Sequence, residues 1–324
     1  MASRRWPDPP AAPEGFARTL VTGAGGAEVA VYERSAATAA QGRARGVVCL
    51  IHDVAEHAGR YAEAATAIAA AGFHVRAHDL RGHGATRAPD APLGVFAARR
   101  GLDRVIEDAV AVAERARAVH PGAPVVALGL GIGGLIGLNV ALVRPDAFDG
   151  FAVWSADARA DLARRIRRAT AVDAILGAGR PSGRLQAQQA AAWSAPFQPV
   201  RTQADWRSSD AAEVDRYLAD PLCAWAPSVS LWRDVADAVD RVNVRAAWGA
   251  VPRGTPFHLL GGADDPSTDQ GEAVVALDAQ LRDIGFTDVA RVILDDTRHD
   301  VLHDVARPEA LRHLLRWLDG LTTA

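Results

Sequence analysis

The chain contains no lysine, because all 36 of its basic residues are arginine. Schiff-base catalysis and lysine-linked pyridoxal phosphate both require a lysine amine, so the sequence excludes them. A phosphate-binding loop of the Walker A type also requires lysine and is excluded for the same reason. The sequence therefore gives no reason to expect a cofactor, and no cluster of residues predicts a metal site.

Cysteine and long apolar runs are scarce as well. The two cysteines, Cys49 and Cys223, are far apart, so we expect no disulfide framework and predict a reducing compartment, the cytoplasm. Residues 1–15 are rich in Pro and Ala and lack the apolar stretch that follows the basic residues of a signal peptide. No run approaches the roughly 18 apolar residues of a spanning helix, so stable membrane insertion is not expected.

Length and charge limit the remaining classes. With 324 residues and a net charge of −3, the chain is long enough for one large domain or for a domain with an insertion. The charge balance does not indicate nucleic acid as a partner. The oligomeric state is left open.

Short apolar segments alternate with longer Ala-rich segments, which is typical of a mostly parallel sheet covered by helices. The pattern predicts a hairpin (18–22 and 28–33), strands at 46–51, 73–78, 124–130, 151–154, 256–261 and 288–294, and helices at 61–71, 102–119, 132–142, 272–284 and 308–318. Between 156 and 254 the alternation stops. We predict a core of residues 1–155 and 255–324, with a mostly helical cap of residues 156–254 inserted after the sixth strand.

The segment VVALGLGIGG, residues 125–134, carries the main chemical signal. A strand that turns sharply into a helix between small residues has the shape of a nucleophile elbow, in which the residue at the apex attacks the substrate. Gly129 and Gly133 are the small flanking residues, and Gly131 stands at the apex, where the G-x-S-x-G motif has serine. A phosphate loop is the alternative, but no lysine or hydroxyl follows to hold phosphate or metal.

Five further segments occur in one order along the chain: IHDVAEHAGRY at 51–61, HDLRGHGAT at 78–86, DAAEVDRYLADPLC at 210–223, LLGGADDP at 259–266 and TRHDVL at 297–302. With the elbow, they resemble the monoacylglycerol lipase and lysophospholipase group of α/β-hydrolases, related to the serine aminopeptidase S33 type. The resemblance implies the α/β-hydrolase fold and hydrolysis of carboxylic esters.

Residue by residue, the resemblance makes His299 the catalytic base and Asp264 the acid that orients it, within hydrogen-bond reach of each other. Asp265 is the nearest alternative to Asp264 and is interpreted as solvated. The N–H groups of Val54 and Ile132 would form the oxyanion hole. In relatives with the full triad the histidine takes the proton of the nucleophilic serine.

The sequence departs from this pattern at the reacting centre. Gly131 has no side chain for His299 to deprotonate, and Asp53 replaces the glycine after His52, which would place negative charge beside the oxyanion hole. Leu130 replaces the histidine that is common before the nucleophile. We also expect His52, Asp53 and Ser155 to line the site. As a replacement nucleophile Ser155 is disfavoured, because a turn residue explains it more simply.

Three hypotheses remain open at this point. The chain is a monoacylglycerol lipase-like protein that is weak or inactive as a serine hydrolase; it is a non-catalytic binding protein for an apolar small molecule; or it is an enzyme of different chemistry that uses His299, Asp264 and Asp53 as acid and base. In each case the predicted partner is a small apolar or ester-type ligand in a capped pocket.

Overall fold

A computed structural model describes residues 11–37, 44–175 and 177–322. Most of the N-terminal stretch for which the sequence predicts no signal peptide, residues 1–10, lies outside the described residues.

Within the described residues, eight strands form one sheet in the order β1-β2-β4-β3-β5-β6-β7-β8. Strand β2 pairs antiparallel with both β1 and β4. The other neighbouring strands, in the order β4-β3-β5-β6-β7-β8, all pair parallel. The strands are β1 (Ala17–Thr22), β2 (Glu28–Arg34), β3 (Gly46–Ile51), β4 (Phe73–His78), β5 (Val125–Leu130), β6 (Gly150–Trp154), β7 (Phe257–Gly262) and β8 (Val289–Leu294). The predicted α/β class with a mostly parallel sheet is confirmed.

The central strands are continuous apolar runs because helices cover both of their faces. Every residue of β3 and of β5 is buried, as expected for parallel strands between two helical layers. The helices are α1 (Ala62–Ala70), α2 (Gly101–Val119), α3 (Ile132–Val143), α4 (Ala160–Ile175), α5 (Gly183–Ser194), α6 (Ala211–Ala219), α7 (Val229–Val242), α8 (Glu272–Ile284) and α9 (Arg307–Thr322). The carboxyl ends of the parallel strands form the sheet edge where ligands bind in such folds.

Residues 156–254, which we call the cap segment, contain α4 to α7 and no strand among their described residues. Helix α7 packs against α2 and α3 and shares their hydrophobic cluster. The Asn139 side chain of α3 also donates a hydrogen bond to the Ala238 carbonyl oxygen, 3.1 Å away. Helix α7 also packs extensively against α4 of the cap segment, so it joins this segment to the helical layer over the sheet. Within the described part of the chain, no helix combines the length and apolar character that crossing a membrane requires.

Candidate active site

The turn from β5 into α3 has the elbow geometry that the sequence predicts. Gly131 stands at its apex with φ 54° and ψ −118°, a left-handed conformation that glycine adopts without strain. A Cβ atom on Gly129 would overlap the Gly133 backbone, and a Cβ on Gly133 would overlap the Ile51 carbonyl oxygen. The tight backbone approach therefore requires glycine at both flanking positions.

The loop after β3 places the Asp53 carboxylate directly over this apex. One carboxylate oxygen accepts a hydrogen bond from the N–H of Ile132, with a distance of 2.8 Å, at the start of α3. The other oxygen lies 3.2 Å from Nε2 of His299. The loop itself is fixed from below, since the Asp53 N–H donates to the buried Glu56 carboxylate at 2.9 Å. An acidic side chain thus occupies the space above Gly131.

His299 pairs with Asp265, which corrects the expectation that Asp264 is its partner. Nδ1 of His299 lies 3.0 Å from a carboxylate oxygen of Asp265 and 2.9 Å from the Ser267 hydroxyl. Asp265 is fully buried and also accepts the Ser267 N–H, so it caps the short turn that follows β7. Asp264 is exposed to solvent, and its N–H donates to the Thr297 carbonyl oxygen.

The reason for this correction is local. Strand β7 ends at Gly262, and the turn that follows leaves Asp264 exposed and buries Asp265, so Asp265 is the carboxylate that meets the imidazole. Asp265 precedes Pro266 and occupies the N-cap position of the short turn, where Asp is favoured. This signal in the sequence could have selected Asp265, but the motif comparison assigned the first aspartate instead.

The imidazole of His299 is held between two carboxylates, which decides its charge. Burial opposes the protonated form, but the negative charges and hydrogen bonds of Asp265 and Asp53 raise the pKa of His299 to about 10. Burial likewise disfavours an ionised Asp53, yet the hydrogen bond and charge of His299, with the Arg207 guanidinium, hold the pKa of Asp53 below its usual value. At neutral pH the site therefore contains an imidazolium and a carboxylate.

Arg207 connects the cap segment to this pair and has no counterpart in the sequence predictions. Its guanidinium donates two hydrogen bonds of 3.0 Å to the carboxylate of Asp300, the residue after His299. It also lies 3.3 Å from Glu56 and 3.8 Å from Asp53. Because the chain has 36 arginines and no local pattern sets Arg207 apart, the sequence carries no signal for this role.

The comparisons with known proteins identify the family and the fold. The model of the family described as "Serine aminopeptidase, S33" matches residues 42–306. The chain is 26% identical to the monoglyceride lipase of Mus musculus over 277 residues, which are 82% of each chain. A carboxyl esterase from Bacillus coagulans in complex with glycerol superposes with a TM-score of 0.83 at 21% identity, covering 96% of this chain and 100% of the esterase.

This chain belongs to the serine aminopeptidase S33 family. A soluble variant of the monoglyceride lipase of Saccharomyces cerevisiae also shares its fold, with a TM-score of 0.71 at 17% identity over the whole of both chains. The chain is thus a monoacylglycerol lipase-like α/β-hydrolase in family and fold, as the sequence motifs predict.

The two oxyanion-hole candidates, the N–H groups of Ile132 and Val54, have different surroundings. The N–H of Ile132 points into the site, but the Asp53 carboxylate already accepts its hydrogen bond. Val54 lines the cavity next to Gly131. An oxyanion that formed at this site would therefore compete with a fixed carboxylate for the Ile132 donor.

His52 and Ser155, two further residues expected to line the site, support its loops. His52 is fully buried and is absent from the cavity wall, which corrects its expected role. Its Nε2 accepts the N–H of Leu80, and its Nδ1 donates to the Asp53 carbonyl oxygen at 2.6 Å. Ser155 does line the cavity, but its hydroxyl donates to the backbone carbonyl of His299 at 2.8 Å. Ser155 thus holds the histidine loop and is not directed at the imidazole.

A cavity of about 450 Å³ lies between this candidate active site and the cap segment. This volume falls within the usual size of small-molecule pockets, roughly 300–1,000 Å³. The walls are mainly apolar, and four tryptophans contribute to them: Trp193, Trp206, Trp225 and Trp232. The ring of Trp206 lies 5.1 Å from that of His299. The lining also includes Asp157 and three glutamines, Gln186, Gln189 and Gln203. Asp53, His299 and Arg207 form a charged group in an otherwise mainly apolar wall.

Proposed function

We propose that this chain does not act as a serine hydrolase and that it binds an apolar small molecule in the capped cavity. The observation that carries the proposal is the position of the Asp53 carboxylate, which lies between the apex of the elbow, the Ile132 N–H and the imidazole of His299. The groups that would activate a serine and stabilise an oxyanion are hydrogen-bonded to a protein side chain.

Two chemical arguments support the loss of hydrolysis. Gly131 offers no hydroxyl, so no acyl-enzyme can form at the elbow. With its pKa raised to about 10, His299 is already protonated at neutral pH and cannot accept a proton there. In a serine hydrolase, removal of one triad member can reduce kcat by about a million-fold. Both the nucleophile and the free base are missing at this site.

The test combines covalent labelling with turnover. The purified protein should not react with a fluorophosphonate probe, which requires an activated serine, and should not hydrolyse p-nitrophenyl esters or monoacylglycerols. An active relative of the family, treated in parallel, is the positive control. A turnover number above about 1 s⁻¹ would contradict the proposal, because that rate lies in the ordinary enzyme range.

A second candidate is an enzyme that uses His299 and Asp53 as an acid–base pair without a covalent serine. The hydrogen bond of 3.2 Å between Nε2 of His299 and the Asp53 carboxylate, inside a capped cavity, favours it. The Asp53 carboxylate would then accept a proton from a water molecule as that water attacks the substrate, and the imidazolium would donate its proton to the leaving group. Such an enzyme would resist the fluorophosphonate and would lose turnover in both His299→Gln and Asp53→Asn.

We place the protein in the cytoplasm, which its two free cysteines, Cys49 and Cys223, support.

A further inference from the structure

The centre of the cavity presents hydrogen-bond acceptors to a ligand. Asp53 lines the cavity, and each of its carboxylate oxygens accepts one hydrogen bond, from Ile132 and from His299. A carboxylate has about four lone-pair sites, so Asp53 can accept further hydrogen bonds from a ligand. The Ile132 N–H, which would otherwise bind a carbonyl or carboxylate oxygen, is already used. A ligand can therefore form a hydrogen bond with Asp53 only by donating it.

We propose that the cavity selects an apolar molecule whose polar end donates a hydrogen bond to Asp53, namely an aliphatic alcohol or a protonated aliphatic amine, and that it rejects fatty carboxylates. This inference rests on the proposed function, because it assumes a ligand that is held and not hydrolysed. It differs from the ester chemistry of the family in the polar group that the site recognises.

The charges around Asp53 oppose a carboxylate ligand. The imidazolium of His299 is bracketed by Asp53 and Asp265, so these three hydrogen-bonded groups together carry net negative charge. The Arg207 guanidinium also lines the cavity and lies 3.8 Å from Asp53, but its hydrogen bonds go to the carboxylates of Asp300 and Glu56. A ligand carboxylate would be desolvated beside Asp53, and the nearby cations, His299 and Arg207, are already paired with protein carboxylates, which makes its burial costly.

The walls suit a chain with a neutral or cationic end. Aliphatic side chains line the cavity, among them Leu135, Leu162, Ile166 and Val235. The four wall tryptophans add large apolar area, and the face of an indole ring also attracts ammonium groups. Apolar burial therefore supplies affinity for the chain, while Asp53 determines which polar group is accepted.

The experiment compares four ligands with the same ten-carbon chain: decylamine, 1-decanol, decanoate and methyl decanoate. Binding is followed by tryptophan fluorescence and calorimetry at neutral pH, below the micellar concentrations. We expect decylamine and 1-decanol each to bind at least about tenfold more tightly than decanoate. Comparison of the amine with the alcohol shows whether charge or hydrogen bonding dominates.

Two variants at one position test the role of Asp53. Asp53→Asn keeps the size of the side chain and removes the charge, so the preference for decylamine over decanoate should fall at least about tenfold. Asp53→Gly frees the Ile132 N–H and His299, so decanoate should become the preferred ligand. Asp264→Asn is the matched control, since it removes an exposed carboxylate near the same loop and should leave the ligand order unchanged.

The outcomes separate this inference from the proposed function. Equal or tighter binding of decanoate by the unaltered protein would overturn the inference, and so would failure of both the amine and the alcohol to bind to folded protein. These results need no variant, so they stand even if Asp53 variants misfold. Hydrolysis of methyl decanoate with fluorophosphonate labelling would instead overturn the proposed function, whatever the order of affinities.

Discussion

A Cβ atom on Gly131 would lie 2.9 Å from one carboxylate oxygen of Asp53 and closer still to the other. The Asp53 side chain and a side chain at the elbow apex therefore compete for the same space. Because Asp53 is held by the Ile132 N–H and by His299, it cannot give way without breaking hydrogen bonds. The glycine at the apex and the aspartate above it are structurally coupled substitutions, and the predictions below depend on this coupling.

The first prediction concerns stability. Gly131→Ala should lower the free energy of unfolding, because the left-handed backbone alone costs about 1–3 kcal/mol for a residue with a Cβ and the overlap with Asp53 adds to it. In the Asp53→Gly background the penalty should shrink, with a coupling energy of about 0.5–3 kcal/mol. Urea unfolding of the four proteins of this cycle measures it. Strictly additive effects would show that the two positions do not compete.

The sequence predicts the fold well because its signals are local and repeated. Strands β3 and β4 and helix α8 all have their predicted bounds. The apex at Gly131 was also predictable, since the small flanking residues are required by the backbone itself. The contacts of α7 with α2 and α3 were not predictable, because the composition of a segment does not reveal which helices it packs against.

The charged centre was less predictable, because it depends on contacts between distant segments. The sequence indicates that Asp53 is unusual, but the hydrogen bonds to Ile132 and His299 join residues 79 and 246 positions apart. Arg207 donates a hydrogen bond to Asp300, which lies 93 positions away in the sequence, and no neighbouring residue indicates that contact. The turn after β7 buries Asp265 and exposes Asp264, and motif matching does not resolve which of two neighbouring turn residues is buried.

The second prediction concerns the protonation of His299. Its pKa in the folded protein is about 10, above its ordinary value of 6.5. The stability that this pairing contributes is therefore fully present below about pH 6.5 and is lost as the pH rises through about 10. Asp265→Asn removes one of the two carboxylates, so the pKa should fall and the alkaline loss of stability should begin at lower pH.

Imidazole NMR titration and urea unfolding at several pH values check this prediction. Asp264→Asn is the control, because its carboxylate is exposed and does not contact the imidazole. If Asp264→Asn shifts the titration of His299 as much as Asp265→Asn does, the pairing seen in the structure is wrong.

The third prediction concerns Arg207, which binds the cap segment to the histidine loop. Arg207→Met should lower the free energy of unfolding, because the buried Asp300 and Glu56 carboxylates lose a cationic partner. Arg60 stays beside both carboxylates, so the loss should be smaller than the roughly 3–5 kcal/mol that a fully unpaired buried charge costs. Arg201→Met is the matched control. It breaks an exposed ion pair with Asp215, which solvent screens, so its effect on the free energy of unfolding should be small.

Hydrogen exchange at the loop that carries His299 gives a second readout for the Arg207 variant. Loss of the two hydrogen bonds to Asp300 should raise exchange there, whereas Arg201→Met should not. Equal destabilisation by both variants would mean that the Arg207 network contributes no more than a surface pair.

The last prediction concerns recovery of hydrolysis. Gly131→Ser supplies a hydroxyl, but alone it should give feeble esterase activity, because Asp53 occupies the space above it and keeps His299 protonated. Asp53→Gly alone should be inert for lack of a nucleophile. Together they should act more than additively, since removal of the carboxylate frees the Ile132 N–H and lowers the pKa of His299 so that it can accept the serine proton.

Two further proteins make this test decisive. Gly131→Ala with Asp53→Gly carries the same extra Cβ without a hydroxyl, so it should neither hydrolyse p-nitrophenyl esters nor react with a fluorophosphonate. His299→Gln, added to the double variant Gly131→Ser with Asp53→Gly, should abolish the recovered activity, because no base remains. If Gly131→Ser alone reaches the hydrolysis rate of the double variant Gly131→Ser with Asp53→Gly, Asp53 does not obstruct the site. If the pair folds but stays inert, the cavity no longer presents an ester to the elbow, and the loss of hydrolysis has causes beyond these two positions.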